Sequence, residues 1–193
     1  MSELPENAFQ PVKGILGQRI SENPGAGQEP GLRFYVELRF APFDYEDETL
    51  NPLFRIDSIE VPAKSWRDLE NQSFSFPWAP KPGSVEAAML LFGEHNPADV
   101  TLVQFGKVEE GTIELSFETE VDFEMEADRD DLEQMELSFS LPLEIDPLQI
   151  ATSMEKRCQG DPDQIREAVA PLVDLDAYGS IEKVPGGFVF PVN

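Results

Sequence analysis

Ile113-Glu114-Leu115-Ser116-Phe117-Glu118-Thr119-Glu120-Val121-Asp122-Phe123-Glu124-Met125 alternates between apolar and polar, mostly acidic, side chains. In an extended chain successive side chains point to opposite faces, so this stretch reads as a strand buried on one side. Ile113, Leu115, Phe117, Thr119, Val121, Phe123 and Met125 take the core side. Glu114, Glu118, Glu120, Asp122, Glu124 and Glu126 take the other. Met135, Leu137, Phe139, Leu141, Leu143 and Ile145 repeat the period, and Ala127–Asp131 suits a hairpin loop between the two runs. If the runs pair, Glu136 and Glu144 join the same acidic face.

Working outward, Leu32, Phe34, Val36, Leu38 and Phe40 alternate with Arg33, Tyr35, Glu37 and Arg39, a second half-buried strand. Phe54-Arg55-Ile56 and Ile59-Glu60-Val61 also alternate, but the phase slips at Asp57-Ser58, where one extra residue predicts a β-bulge. Ser73–Phe76 reads as a short strand, and the prolines around Trp78–Gly83 as a rigid turn. Val85–Phe92 suits a buried strand or a short helix, Glu94–Pro97 a turn, and Val100–Phe105 a strand. After Asp146 the period changes. Asp146-Pro147 and Asp161-Pro162 each offer an N-cap followed by proline, with Gly160 as a stop between two helices and Gln164 placed for a capping box. Phe188–Val192 reads as a terminal strand.

The expected fold is therefore mainly β, an antiparallel sandwich or half-barrel, with a short C-terminal α-helical extension. Residues 1–31, rich in Pro and Gly, read as an N-terminal arm that docks through Val12, Ile15, Leu16 and Ile20 or stays flexible. Residues 32–146 form the β domain, and 147–193 pack on it as helices and a terminal strand.

Charge bounds the function. Thirty-eight Asp and Glu stand against 14 Lys and Arg, for a net charge of −24. Such a chain cannot neutralise a run of phosphates, which excludes a generic nucleic-acid binder. The longest apolar run, Ala87–Phe92, is far short of the roughly 20 residues that cross a bilayer, and MSELPENAFQ lacks a signal-peptide pattern. A cytoplasmic protein without membrane contact is expected. One cysteine excludes an internal disulfide, and one histidine excludes a zinc site of the usual kind.

Few side chains invite chemistry. His95, with Glu94 and Asp99 nearby, has the composition of an oriented base but no nucleophile beside it, and a structural turn is the better reading. Cys158 follows Lys156 and Arg157, which would lower a thiol pKa, yet no motif makes it a nucleophile. Asp128-Arg129-Asp130-Asp131 starts like a calcium loop but has Glu133 and Phe139 where glycine and glutamate belong. Trp66, Trp78, Tyr35 and Tyr45 could build a sugar platform; core or rim positions suit the two tryptophans better. No phosphate-binding glycine loop exists, so no cofactor, catalytic residue or metal ligand is assigned.

What stands out is charge placement: residues 109–146 hold 15 acidic side chains and one basic one, Arg129. Either this is a solvated face that keeps the protein dispersed, or it docks a basic partner. The second reading assigns Glu114, Glu118, Glu120, Asp122, Glu124, Glu126 and Glu136 to the partner-binding face.

Ser65-Trp66 with Leu69, Phe74-x-Phe76-Pro77, Pro82-Gly83, His95-Asn96-Pro97-x-Asp99-Val100 and Phe105-Gly106 are followed by a closing pair of acidic strands. With these elements the span Ser65–Leu143, about 40% of the chain, resembles small all-β immunity proteins of bacterial polymorphic toxin systems. The resemblance implies a non-enzymatic protein that binds and blocks a cognate toxin, with no catalytic residues to carry over. Alternatives are a nucleic-acid mimic that occupies a DNA-binding protein, or a sugar- or metal-binding β-sandwich.

Overall fold

The computed structural model describes residues 4–5, 8–23, 28–123 and 134–193. The strands among them are β1 (Pro11–Asn23), β2 (Gln28–Phe40), β3 (Phe43–Tyr45), β4 (Glu48–Leu50), β5 (Leu53–Ile59), β6 (Ser73–Ser75) and β7 (Glu86–Leu91). They continue with β8 (Glu94–Asp99), β9 (Leu102–Glu109), β10 (Thr112–Val121), β11 (Met135–Ile150), β12 (Glu182–Val184) and β13 (Gly187–Phe190). Two short helices, α1 (Thr152–Arg157) and α2 (Pro162–Val169), lie near the C-terminus. With 55% of the described residues in strands and 12% helical, the fold is mainly β, as its periodicity predicted.

One sheet runs β12-β13-β11-β1-β2-β5-β7-β8-β10-β9-β6, and an additional β10–β11 pairing closes seven of these strands into a ring. The long β11 makes closure possible: Met135–Glu144 pairs with β10, and Glu144–Ile150 pairs with β1. That β1–β11 pairing is parallel, so the sheet is mixed rather than purely antiparallel as expected. Phe117 faces Phe139 across β10 and β11, and both rings meet Phe54 with centroids 5.3–5.8 Å apart. Phe34, Val36, Leu38, Phe117, Phe123 and Phe139 are buried in one core, with Leu32 and Leu137 partly buried against it. Burying each such side chain contributes about 1.5–3 kcal/mol.

The expected arm is packed on the body, with Leu16 and Ile20 buried, but as an integral strand rather than an appendage. Residues 11–23 form β1, lodged between β2 and β11. Its inward positions are Gly14, Leu16, Gln18 and Ile20, so only two of four are large and apolar, and the period of two is hidden. Gly17 is required by packing, because a Cβ there would lie 1.8 Å from the Tyr35 ring that crosses it. Buried Gln18 accepts a 2.6 Å hydrogen bond from the Tyr178 hydroxyl and donates from Nε2 to the Asp146 carbonyl at 2.9 Å. Residues near the C-terminus therefore satisfy the polar group that disguises the strand. Val12, expected in a docking patch, is 64% exposed.

Other boundaries move for local reasons. Glu94–Pro97, expected as a turn, lies in β8; the reversal occurs at Phe92-Gly93, both with positive φ (58° and 81°) as tight hairpins require. Val85–Phe92 resolves as strand β7. Asp146-Pro147 does not start a helix, because pairing with β1 and β13 keeps β11 extended to Ile150. Asp161 does cap α2, accepting from the Asp163 and Gln164 amides, with Gln164 Nε2 bonded back to its carboxylate at 3.0 Å. At the phase slip, Ile56 pairs with Val36 and Ile59 with Phe34, leaving Asp57 and Ser58 opposite one residue, the expected bulge. The hairpin loop expected at Ala127–Asp131 lies outside the described residues.

Candidate functional site

The outer face of β8, β10 and β11 is where the charge pattern becomes geometry. Glu120 on β10 is the direct partner of Asp99 on β8 and of Glu136 on β11, so three carboxylates stand in one row across adjacent strands. Directly opposed residues have Cβ atoms about 4.5–5.5 Å apart, and like charges at that spacing repel. Glu118 follows two residues away on the same face of β10. Among the described residues, the side chains of Glu118, Glu120 and Glu136 have no hydrogen-bond or ion-pair partner.

This row floors two adjoining grooves of about 420 Å³ each. The first is lined by Trp78, Asp99, Thr101, Glu118, Glu120 and Glu136, among others. The second shares Asp99 and Glu120 and adds Glu86 and Asp122. No Lys or Arg among the described residues lines either one. The groove wall is anchored: the Ala79 amide donates to Asp99 Oδ1 at 3.1 Å, and the Thr119 hydroxyl to the Asp99 carbonyl at 3.0 Å. The Trp78 side chain beside this anchor is 51% exposed.

The expected binding set is divided. Glu118, Glu120, Asp122 and Glu136 come together. Glu114 stands apart, opposite Pro142, where its Oε2 accepts from the Lys107 amide at the bulge of β9. Glu144 is paired with Lys13 at 2.7 Å. Glu124 and Glu126, together with the calcium-like run Asp128–Asp131, lie outside the described residues. Asp99, Glu86 and Trp78 also line the grooves, although the sequence reading placed none of them on the acidic face. The Asp99 position becomes legible only when His95-Asn96-Pro97 is read through as strand, and proline argues against that in a central strand.

The chemical candidates fare as follows. His95 and Asp99 lie in one strand, four residues or roughly 13 Å apart, and Asp99 is committed to Ala79. Cys158 is a buried thiol. Trp66 is buried, with the Arg67 guanidinium 5.1 Å from its ring centre, and Tyr45 packs on Phe92. Trp78 thus meets none of the other aromatics proposed for a platform. Among the described residues no cluster of His, Cys, Asp and Glu is arranged to hold a metal ion. None of their helices is long and apolar enough to cross a membrane.

Perturbed groups sit elsewhere. Burial, then nearby carboxylates, raises the Asp146 carboxyl and the Tyr35 hydroxyl on the β1–β2–β11 side. Burial also raises Tyr178 well above the ordinary tyrosine value.

No protein-family model, curated protein or solved structure matches the chain.

Proposed function

We propose that this chain is a non-enzymatic binding protein that neutralises a basic partner, as an immunity protein blocks its cognate toxin in the bacterial cytoplasm. The observation that carries the reading is the row Asp99–Glu120–Glu136, flanked by Glu118, with no cation paired to it among the described residues. Self-repulsion of this kind weakens a sheet unless something positive covers it. A one-signed field over a groove also speeds encounter with a positive partner, and close charge pairs formed on docking slow release. The lone buried thiol suits a reducing compartment.

The test takes a toxin-like protein encoded immediately upstream of this chain and measures association rate against ionic strength. Wild type is compared with Glu118→Gln/Glu120→Gln/Glu136→Gln. Slowing of roughly tenfold or more at low salt and a flatter salt dependence are expected. Identical rates and slopes would reduce the face to a solubilising surface, and a genome without such a neighbour would remove the immunity assignment.

A further inference from the structure

Resting on the reading above, we propose that the groove under Trp78 is a receptor for an arginine side chain of the partner, selective against lysine. Trp78 is half exposed, an uncommon state for the largest apolar side chain, and it lines the same groove as Glu118, Glu120 and Glu136. Its backbone is fixed rather than free. The Ala79 amide is bonded to Asp99, the Lys81 amide to the Trp78 carbonyl at 3.1 Å, and the Ser84 amide to the Lys81 carbonyl at 3.0 Å. The groove therefore has an aromatic wall carried on an anchored backbone and a carboxylate floor, with a volume of about 420 Å³.

Those two surfaces ask for a flat cation. A guanidinium stacks on an indole through its face and still directs its in-plane N–H groups at carboxylates. A lysine ammonium meets the floor as a point charge but cannot stack and form bidentate bonds together. The chain holds an internal parallel, since Trp66 carries the Arg67 guanidinium over its ring. Trp78 has no such cover among the described residues. A free metal ion would use the floor but leave the exposed indole without a role.

The probes are two acetylated and amidated peptides of equal charge, Gly-Arg-Gly-Arg-Gly and Gly-Lys-Gly-Lys-Gly. They are titrated by calorimetry and tryptophan emission at low ionic strength against wild type, Trp78→Leu and Glu118→Gln/Glu136→Gln. The arginine peptide should bind wild type roughly two- to fivefold more tightly. It alone should shift the emission of Trp78, because buried Trp66 is out of reach. Trp78→Leu should erase the preference, keep lysine-peptide binding and retain the wild-type melting temperature. The double charge variant should weaken both peptides. Equal affinities in wild type, or a preference that survives Trp78→Leu, would overturn the arginine receptor while leaving the basic-partner reading intact. If neither peptide binds, or if both bind the charge variant unchanged, both readings fall.

Discussion

Two faces of one closed sheet handle charge in opposite ways. On the side built by β1, β2 and β5, cations and carboxylates are interleaved. Lys13 meets Glu144 at 2.7 Å, Arg33 meets Glu60 at 2.6 Å, Arg39 meets Glu37 at 2.9 Å, and Arg55 meets Asp57 at 3.2 Å. On β8, β10 and β11, Asp99, Glu120 and Glu136 adjoin one another, and no basic side chain lines the grooves above them among the described residues. The chain has 14 basic residues, yet puts only Lys107 and Arg129 between positions 94 and 150. The first face is neutralised from within, and the second has no such internal cations among the described residues.

The comparison predicts opposite signs for charge removal. The largest effect belongs to Arg33, whose buried guanidinium donates to the Ser21 carbonyl, the Ser21 hydroxyl and Glu60. Arg33→Met should cost about 2–3 kcal/mol in urea unfolding, less than a fully buried pair because Glu60 is largely exposed. The triple variant Glu118→Gln/Glu120→Gln/Glu136→Gln should instead melt a few degrees higher than wild type. Added salt should stabilise wild type more than this variant, since screening acts on the repulsion already removed. A triple variant less stable than wild type would break the comparison, because it would mean the carboxylates have internal partners.

The legible part of this molecule was the part with a clean period of two. The alternation of 113–123 and of 135–145 led directly to β10, β11 and their pairing, and the slip at Asp57-Ser58 to the bulge. What stayed hidden had a tertiary cause. The β1 core positions Gly14 and Gln18 look wrong for a strand until Leu141 and Leu143 fill the space over one, and Tyr178 bonds the other. Helix-start residues at Asp146-Pro147 were overridden by β1 pairing along the same segment. For the site, the sequence exposed the acids of two paired strands; Asp99 and Trp78 join them through strand order and a loop anchored 20 residues away. Strand order across a ring is non-local and leaves no mark in a single run of residues.

The smallest effect tests how relaxed the interleaved face is. Asp146 is partly buried on β11, and burial first, then Glu144 and Glu37, hold its carboxyl above the ordinary 3.8, while Lys13 pulls it down. The folded state therefore binds this proton more tightly than the unfolded chain does. Between 3.8 and the raised folded value the native protein carries more protons, so stability falls as pH rises through that window. Above it, the ionised carboxylate remains a standing cost. Asp146→Asn abolishes the titration and keeps the backbone carbonyl that accepts from Gln18. The variant should melt about 1–3 °C above wild type near pH 7, with the gap closing at about pH 3 where the native carboxyl is protonated. Lys13→Met should widen the same gap, since it removes the cation that holds the pKa down. It also removes the exposed pair with Glu144, worth about 0–1 kcal/mol. Melting curves for Asp146→Asn and wild type that stay parallel across this pH range would show that the carboxylate is already satisfied at neutral pH. Asp146 would then add no repulsion to the interleaved face, and the contrast with the unrelieved row on β8, β10 and β11 would sharpen.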